Sequence, residues 1–133
     1  MLHMWGRVNP TKDSWMYPKP EYELQGWNVD MIACGNNHTS VLADGCVIVW
    51  GSGCQFGELG FGENGPKSSA RPKKVDLLEG VSISQVACGM FHTVYLASGD
   101  VVSTLPTYTP EPDAVLEAPP KKGKGKAKAA GKR

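Results

Sequence analysis

Two stretches of the chain, IACGNNHTSVLADG (Ile32–Gly45) and VACGMFHTVYLASG (Val86–Gly99), align without a gap at a separation of 54 residues, and eight of their 14 positions are identical. The register continues upstream. Pro18 falls on Pro72, Leu24 on Leu78, Gly26 on Gly80, and Val29 on Ile83. A second marker also recurs, as MWG at Met4–Gly6 and VWG at Val49–Gly51. A repeat of this period constrains the fold more than any composition does. Each copy is one supersecondary unit, and such units are stable only when stacked on their neighbours.

The units read as strands and turns. VDMIACG is a first strand. Gly35-Asn36-Asn37 suits a turn, because Gly and Asn tolerate positive φ. HTSVLA is a second strand, Asp44-Gly45 a two-residue hairpin signal, and CVIVWG a third strand. The second copy repeats the first two strands and ends in a matching Ser98-Gly99 turn. No helical periodicity of useful length is present. Three or four antiparallel strands repeated every ~50 residues are the pattern of β-propeller blades. The chain therefore divides into the end of a preceding blade and a linker (1–26), one blade (27–80), an incomplete second blade (81–105), and a Pro-rich linker with a Lys-rich tail (106–133).

ACGxxHT, ADG, VWG and FGELGFG together resemble the repeat of the regulator-of-chromosome-condensation family, over about Met4 to Ala97. WMYPKP, GWNVDMIACG and FGELGFGENGPKSSARPKKV are similar to one mitotic, small-GTPase-associated branch of it. The resemblance implies a partial seven-bladed propeller, all-β, that binds proteins and has no catalytic residues, cofactor or metal. It also implies a scaffold whose intact form is a guanine-nucleotide exchange factor for a small GTPase, tied to chromosome, spindle or cytoskeleton in nucleus and cytoplasm. Its structural repeat residues here are Gly35, His38, Gly45, Trp50, Gly51, Gly57, Leu59, Gly60, Gly62, Gly89, His92 and Gly99. Seven repeats need roughly 350 residues at this period, so the chain reads as the C-terminal end of a propeller, broken off within a blade. A truncated piece without independent activity is the accompanying alternative.

The glycine-rich stretch QFGELGFGENGPKSS (Gln55–Ser69) invites a phosphate-loop reading, and Gly60 to Gly65 has the right glycine spacing. Pro66 displaces Lys67 by one place, removes an amide hydrogen, and no apolar helix follows. The stretch instead reads as a tight loop in which Phe56, Leu59 and Phe61 tuck against a neighbouring blade. ENGPKSSARPKK reads as a polar exposed excursion whose serines are open to phosphorylation.

Cys34-x-x-x-His38 and Cys88-x-x-x-His92 have a superficial look of zinc ligands. Their spacing is set by the repeat, which places the two pairs on different blades. A structural role is expected instead, each buried histidine bonding a neighbouring backbone group. No G-x-S-x-G elbow and no paired carboxylates point to catalysis. Trp5 and Trp50 occupy matched positions and are expected in the core, while Trp15, Met16, Tyr17 and Trp27 are expected in core or seam.

Composition adds an asymmetry. Seven of the 14 Lys and Arg residues (Lys121, Lys122, Lys124, Lys126, Lys128, Lys132 and Arg133) lie in the last 13 positions, leaving residues 1–120 with 7 basic and 13 acidic residues. Lys, Gly and Ala cannot build a core, so this tail is expected to be disordered. Its charge suits nuclear import, sequence-independent contact with nucleic-acid phosphate or chromatin, or simple solubility. Four cysteines outside any CxxC pair, with no export signal, fit reduced thiols. No apolar run approaches the ~20 residues of a membrane span.

Overall fold

A computed structural model describes residues 1–7 and 14–108. The Lys-rich tail, residues 121–133, lies outside the described residues. The described chain is all-β. Its eight strands are β1 (His3–Gly6), β2 (Trp15–Pro20), β3 (Val29–Cys34), β4 (His38–Ala43), β5 (Cys46–Gly51), β6 (Ser69–Lys74), β7 (Ser82–Cys88) and β8 (Thr93–Ser98). They form three antiparallel sheets: β1-β2, β3-β4-β5-β6 and β7-β8. Short 3-10 turns at Tyr22–Leu24 and Asp76–Leu78 occupy equivalent places 54 residues apart.

The β4–β5 hairpin shows how the local sequence works. Asp44 (φ 47°) and Gly45 (φ 71°) both adopt the left-handed region, the requirement of a type I′ turn, whose twist matches that of the flanking strands. With the turn fixed, Ala43 pairs Cys46 and the register runs back to His38 opposite Gly51.

The middle sheet is covered on both faces. Leu42, Val47 and Val49 point to β7-β8 and pack with Leu59, Val75 and Val86. Val41, Ala43, Ile48 and Trp50 point to β1-β2 and pack with Leu24, Leu2 and Met4. β4 and β5 are therefore buried almost continuously, whereas β7 and β8, packed on one side, alternate between covered and exposed. An apolar strand buried on both faces loses the period-2 signature, which survives only where one face meets water.

Five expectations need correction. The second half of ENGPKSSARPKK is strand β6, the edge of the middle sheet, paired through Val49–Lys73 and Ile48–Lys74. Its polar composition reflects that edge position, which also tolerates Pro72. Trp5 is 65% exposed, in contrast to Trp50 at 4%: among the described residues no sheet covers the outer face of β1-β2. Met16 and Tyr17 on β2 are exposed for the same reason, while Trp27 packs against the Trp50 cluster and Trp15 is half-buried beneath the Lys19 ammonium, 4.4 Å from its ring. Phe56 does reach the neighbouring sheet, through an edge-to-face contact with Phe91 at 5.4 Å, but from the exposed side, while Leu59 and Phe61 are the loop residues that pack inward. Finally, Gly99 (φ 109°) leads into a 3-10 turn over Asp100–Thr104 rather than a hairpin.

Candidate functional site

The ACGxxHT motif builds the seam between the middle sheet and β7-β8. In each copy the chain reverses just after the cysteine. The amide of Gly35 donates to the His38 carbonyl at 2.7 Å, and that of Gly89 to the His92 carbonyl at 2.8 Å. The reversal lays each imidazole over its own glycine. A Cβ on Gly35 would meet His38 Nδ1 at 2.7 Å and the Gly89 carbonyl at 2.6 Å; a Cβ on Gly89 would meet His92 Nδ1 at 2.7 Å. Glycine is required at Gly35 because both a ring and the next sheet's backbone occupy the place of a side chain. Gly51 is constrained similarly, since its Cβ would sit 2.7 Å from His38 Cα.

His38, at the start of β4, is 3% exposed. Its Nε2 lies 2.9 Å from Thr93 Oγ1, and that hydroxyl donates to the Glu58 carbonyl at 2.7 Å. Thr93 has one proton to give, so its oxygen accepts from His38 Nε2–H. The histidine is thus held by a side-chain hydroxyl of the next sheet, not by the backbone group expected from sequence. Burial, aided by the nearby His92, holds the His38 pKa below its ordinary value, against an opposing pull from Glu58. Glu58 is itself buried and accepts the Phe56 amide at 2.8 Å. Among the described residues neither His38 Nδ1 nor Glu58 Oε1 has a hydrogen-bond partner.

Three further bonds cross the same seam. Ser40 Oγ meets the Tyr95 hydroxyl at 3.0 Å, the Val86 amide donates to Met31 Sδ at 3.3 Å, and Cys88 Sγ donates to the Ala33 carbonyl at 3.4 Å. Each joins residues 55 apart, as does the His38–Thr93 bond. Equivalent residues are 54 apart, so the seam pairs each position with the one just beyond its own counterpart. Thr93, Glu58, Ser40, Tyr95 and Met31 were not singled out from sequence. The signal for Thr93 was present, since Thr follows His in both copies.

The remaining repeat residues shape the frame. Gly45 closes the hairpin, Trp50 fills the face toward β1-β2, and Leu59 is buried beside Cys54. Gly57, Gly60 and Gly62 turn the β5–β6 loop at positive φ. The amides of Gly60 and Gly65 are engaged by the Gly57 and Gly62 carbonyls, so they are not free to cradle a phosphate. His92 is exposed on the outer side of β7-β8. Burial pushes the Cys54 and Cys88 thiols up, which suppresses the thiolate a nucleophile or metal ligand needs. No three His, Cys, Asp or Glu side chains converge in a metal-holding group among the described residues. What the arrangement supplies is rigidity: two sheets locked in one register.

Three antiparallel sheets stacked face to face, built from a 54-residue unit whose complete copy has four strands, define blades of a β-propeller repeat protein. Residues 44–96 match the Regulator of chromosome condensation (RCC1) repeat. Those residues carry that repeat. The chain is similar to the Protein RCC2 homolog of Danio rerio, with 40% identity over 115 residues, covering 82% of this chain and 23% of the relative. It is also similar to the Ultraviolet-B receptor UVR8 of Arabidopsis thaliana, with 32% identity over 111 residues, covering 77% of this chain and 24% of the relative. The crystal structure of human WBSCR16 superposes with a TM-score of 0.54 at 27% identity, covering 68% of this chain and 24% of that one. The chain thus spans about a quarter of the length of these relatives.

Proposed function

We propose that the chain is part of a protein-interaction scaffold whose work is binding. The observation that supports this reading is the locked seam. Bonds at a constant 55-residue separation fix adjacent sheets, so the connecting loops are presented on a rigid frame, the usual setting for a binding surface. In the intact protein the partner is a small GTPase, and the scaffold promotes guanine-nucleotide exchange by holding the nucleotide-free form, at chromosome or spindle. This reading rests on the resemblance to the RCC2 branch. The test is release of a fluorescent guanine nucleotide from a panel of purified small GTPases, alongside capture of the same GTPases stripped of nucleotide. Acceleration or selective capture of one GTPase is expected. Failure of both across the panel removes the exchange reading.

A second reading is favoured by the charge of the tail. Seven basic residues among the last 13 suit contact with nucleic-acid phosphate in chromatin, with affinity that falls as salt rises. Deleting residues 121–133 is expected to abolish salt-sensitive binding to duplex DNA without altering the melting temperature. Unchanged DNA binding by the shortened chain would refute it.

A further inference from the structure

We propose that Ser68 is a phosphorylation site, modified by a serine kinase that reads the basic residues around it, and that its phosphate is received by the turn at Gly53. Two adjacent serines end the loop between β5 and β6, and the structure separates them. Ser69 opens β6 opposite Gly51 and is half-buried, and its hydroxyl donates to the Arg71 carbonyl at 2.7 Å. Its backbone and its proton are both engaged. Ser68 stands one residue before the strand and is exposed. Its Oγ accepts the Gly53 amide at 3.0 Å, and among the described residues its own proton has no acceptor. That proton is the one a kinase must remove. Lys67 lies directly before Ser68, and Arg71 and Lys73 are exposed just after it, a charge pattern complementary to an acidic substrate groove. In the transfer, Ser68 Oγ attacks the γ-phosphorus of ATP. The bond from that phosphorus to the ADP oxygen breaks, and the hydroxyl proton passes to the catalytic aspartate of the kinase.

The turn that receives the phosphate is already built. Gly53 adopts φ 75°, and both of its neighbours are tied to one acceptor. The Ser52 amide donates to the Asn37 carbonyl at 3.0 Å, and Cys54 Sγ donates to the same carbonyl at 3.6 Å. The Gly53 N–H is therefore held in place and directed at Ser68 Oγ. The Asn37 side-chain nitrogen stands 4.0 Å from the position a Gly53 Cβ would take, which adds a second N–H donor on the same turn. Backbone N–H groups fixed in turns are common receivers of anions. Lys67 makes no ion pair among the described residues and is left to match the charge. A phosphate brings about −1.5 to −2 charge at pH 7 and three strong acceptor oxygens, which take up the Gly53 and Asn37 donors. Asn37 is followed by His38, so the modification sets this charge beside the start of the seam. Every residue involved lies within the complete four-stranded unit.

The test uses the folded 133-residue chain, ATP, and the catalytic domains of two kinases that prefer basic surroundings, protein kinase A and protein kinase C. Mass spectrometry locates the phosphate. It is expected on Ser68 and not on Ser69. Phosphate on Ser69 instead, or none on Ser68 with either kinase, overturns the assignment. The receiving turn is tested on the chain produced with phosphoserine incorporated at position 68. In phosphorus NMR, the second ionisation of that phosphate is expected to fall about half a pH unit below that of the same phosphoserine in a peptide of residues 63–74, because N–H donors and a cation favour the charged form. The Gly53 amide proton is expected to move downfield over the same pH range. An ionisation equal to the peptide's, or a Gly53 amide that does not respond, overturns the receiving turn. Asn37→Ala keeps the backbone carbonyl that ties the loop and is expected to reduce the shift in ionisation. An undiminished shift in that variant removes Asn37 from the site.

Discussion

Replacing Trp50 by alanine is expected to cost about 3–5 kcal/mol, the range for removing a large buried aromatic side chain. Trp50 is 4% exposed and sits among Leu24, Val41, Ala43 and Ile48, with Met4 and Trp27 packed against the same cluster. It joins the middle sheet to β1-β2. A chain of this length is stabilised by only ~5–15 kcal/mol, so one substitution removes a large part of the total. Urea unfolding followed by tryptophan fluorescence or far-ultraviolet circular dichroism measures the change. The matched residue provides the control: Trp5→Ala, on the exposed face of β1, is expected to alter stability by less than about 0.5 kcal/mol in dilute solution. Equal losses at the two positions would mean that Trp50 does not hold the sheets together as described.

Acidification is expected to weaken the seam through His38. Burial lowers its pKa in the folded chain, while the unfolded chain retains the ordinary value of about 6.5. The unfolded state therefore takes up the proton first as pH falls. The stability owed to neutral His38 is fully present above pH ~6.5 and is lost as pH drops from there through the lowered folded-state pKa. The maximal slope for one proton is about 1.4 kcal/mol per pH unit. The groups that face the ring are Glu58, which opposes the shift, and His92, which adds to it. His38→Gln keeps a donor near the position of Nε2 and so retains the bond to Thr93, but it cannot titrate. Denaturant midpoints at pH 7.5 and pH 5 are expected to fall further for the unmodified chain than for His38→Gln. His38→Ala is expected to lose about 1–3 kcal/mol at neutral pH, because the Thr93 oxygen loses its donor in a buried site. Parallel pH profiles for the unmodified chain and His38→Gln would show that His38 does not carry the effect.

The strands were legible because a repeated sequence supplies its own comparison. VDMIACG, HTSVLA and CVIVWG fall on β3, β4 and β5, since short apolar or alternating runs between Gly- and Asn-rich turns leave the backbone few alternatives. β6 was missed for a physical reason. As an edge strand with its side chains largely in water, it carries Lys, Arg and Pro, and its pairing to β5 uses backbone groups that leave no mark on composition. The candidate site was half legible. Gly35 and His38 were marked by recurrence in both copies. Glu58 and Tyr95 were not, because Glu58 reaches the seam from a loop and the partner of Tyr95, Ser40, has Val94 as its repeat counterpart.

The order of residues alone determined the period, the strands of the complete unit, the hairpin at Asp44-Gly45, and the identity of the motif that turns at Gly35 and Gly89. Only the tertiary structure decided which copy of each motif is buried. Trp50 and Trp5 carry the same local sequence, as do His38 and His92, yet Trp50 and His38 lie inside while Trp5 and His92 face water. A strand's own sequence sets which side chains share a face. Whether that face is dry depends on a second sheet arriving from elsewhere in the chain, and the 55-residue offset of the seam is a property of that packing alone.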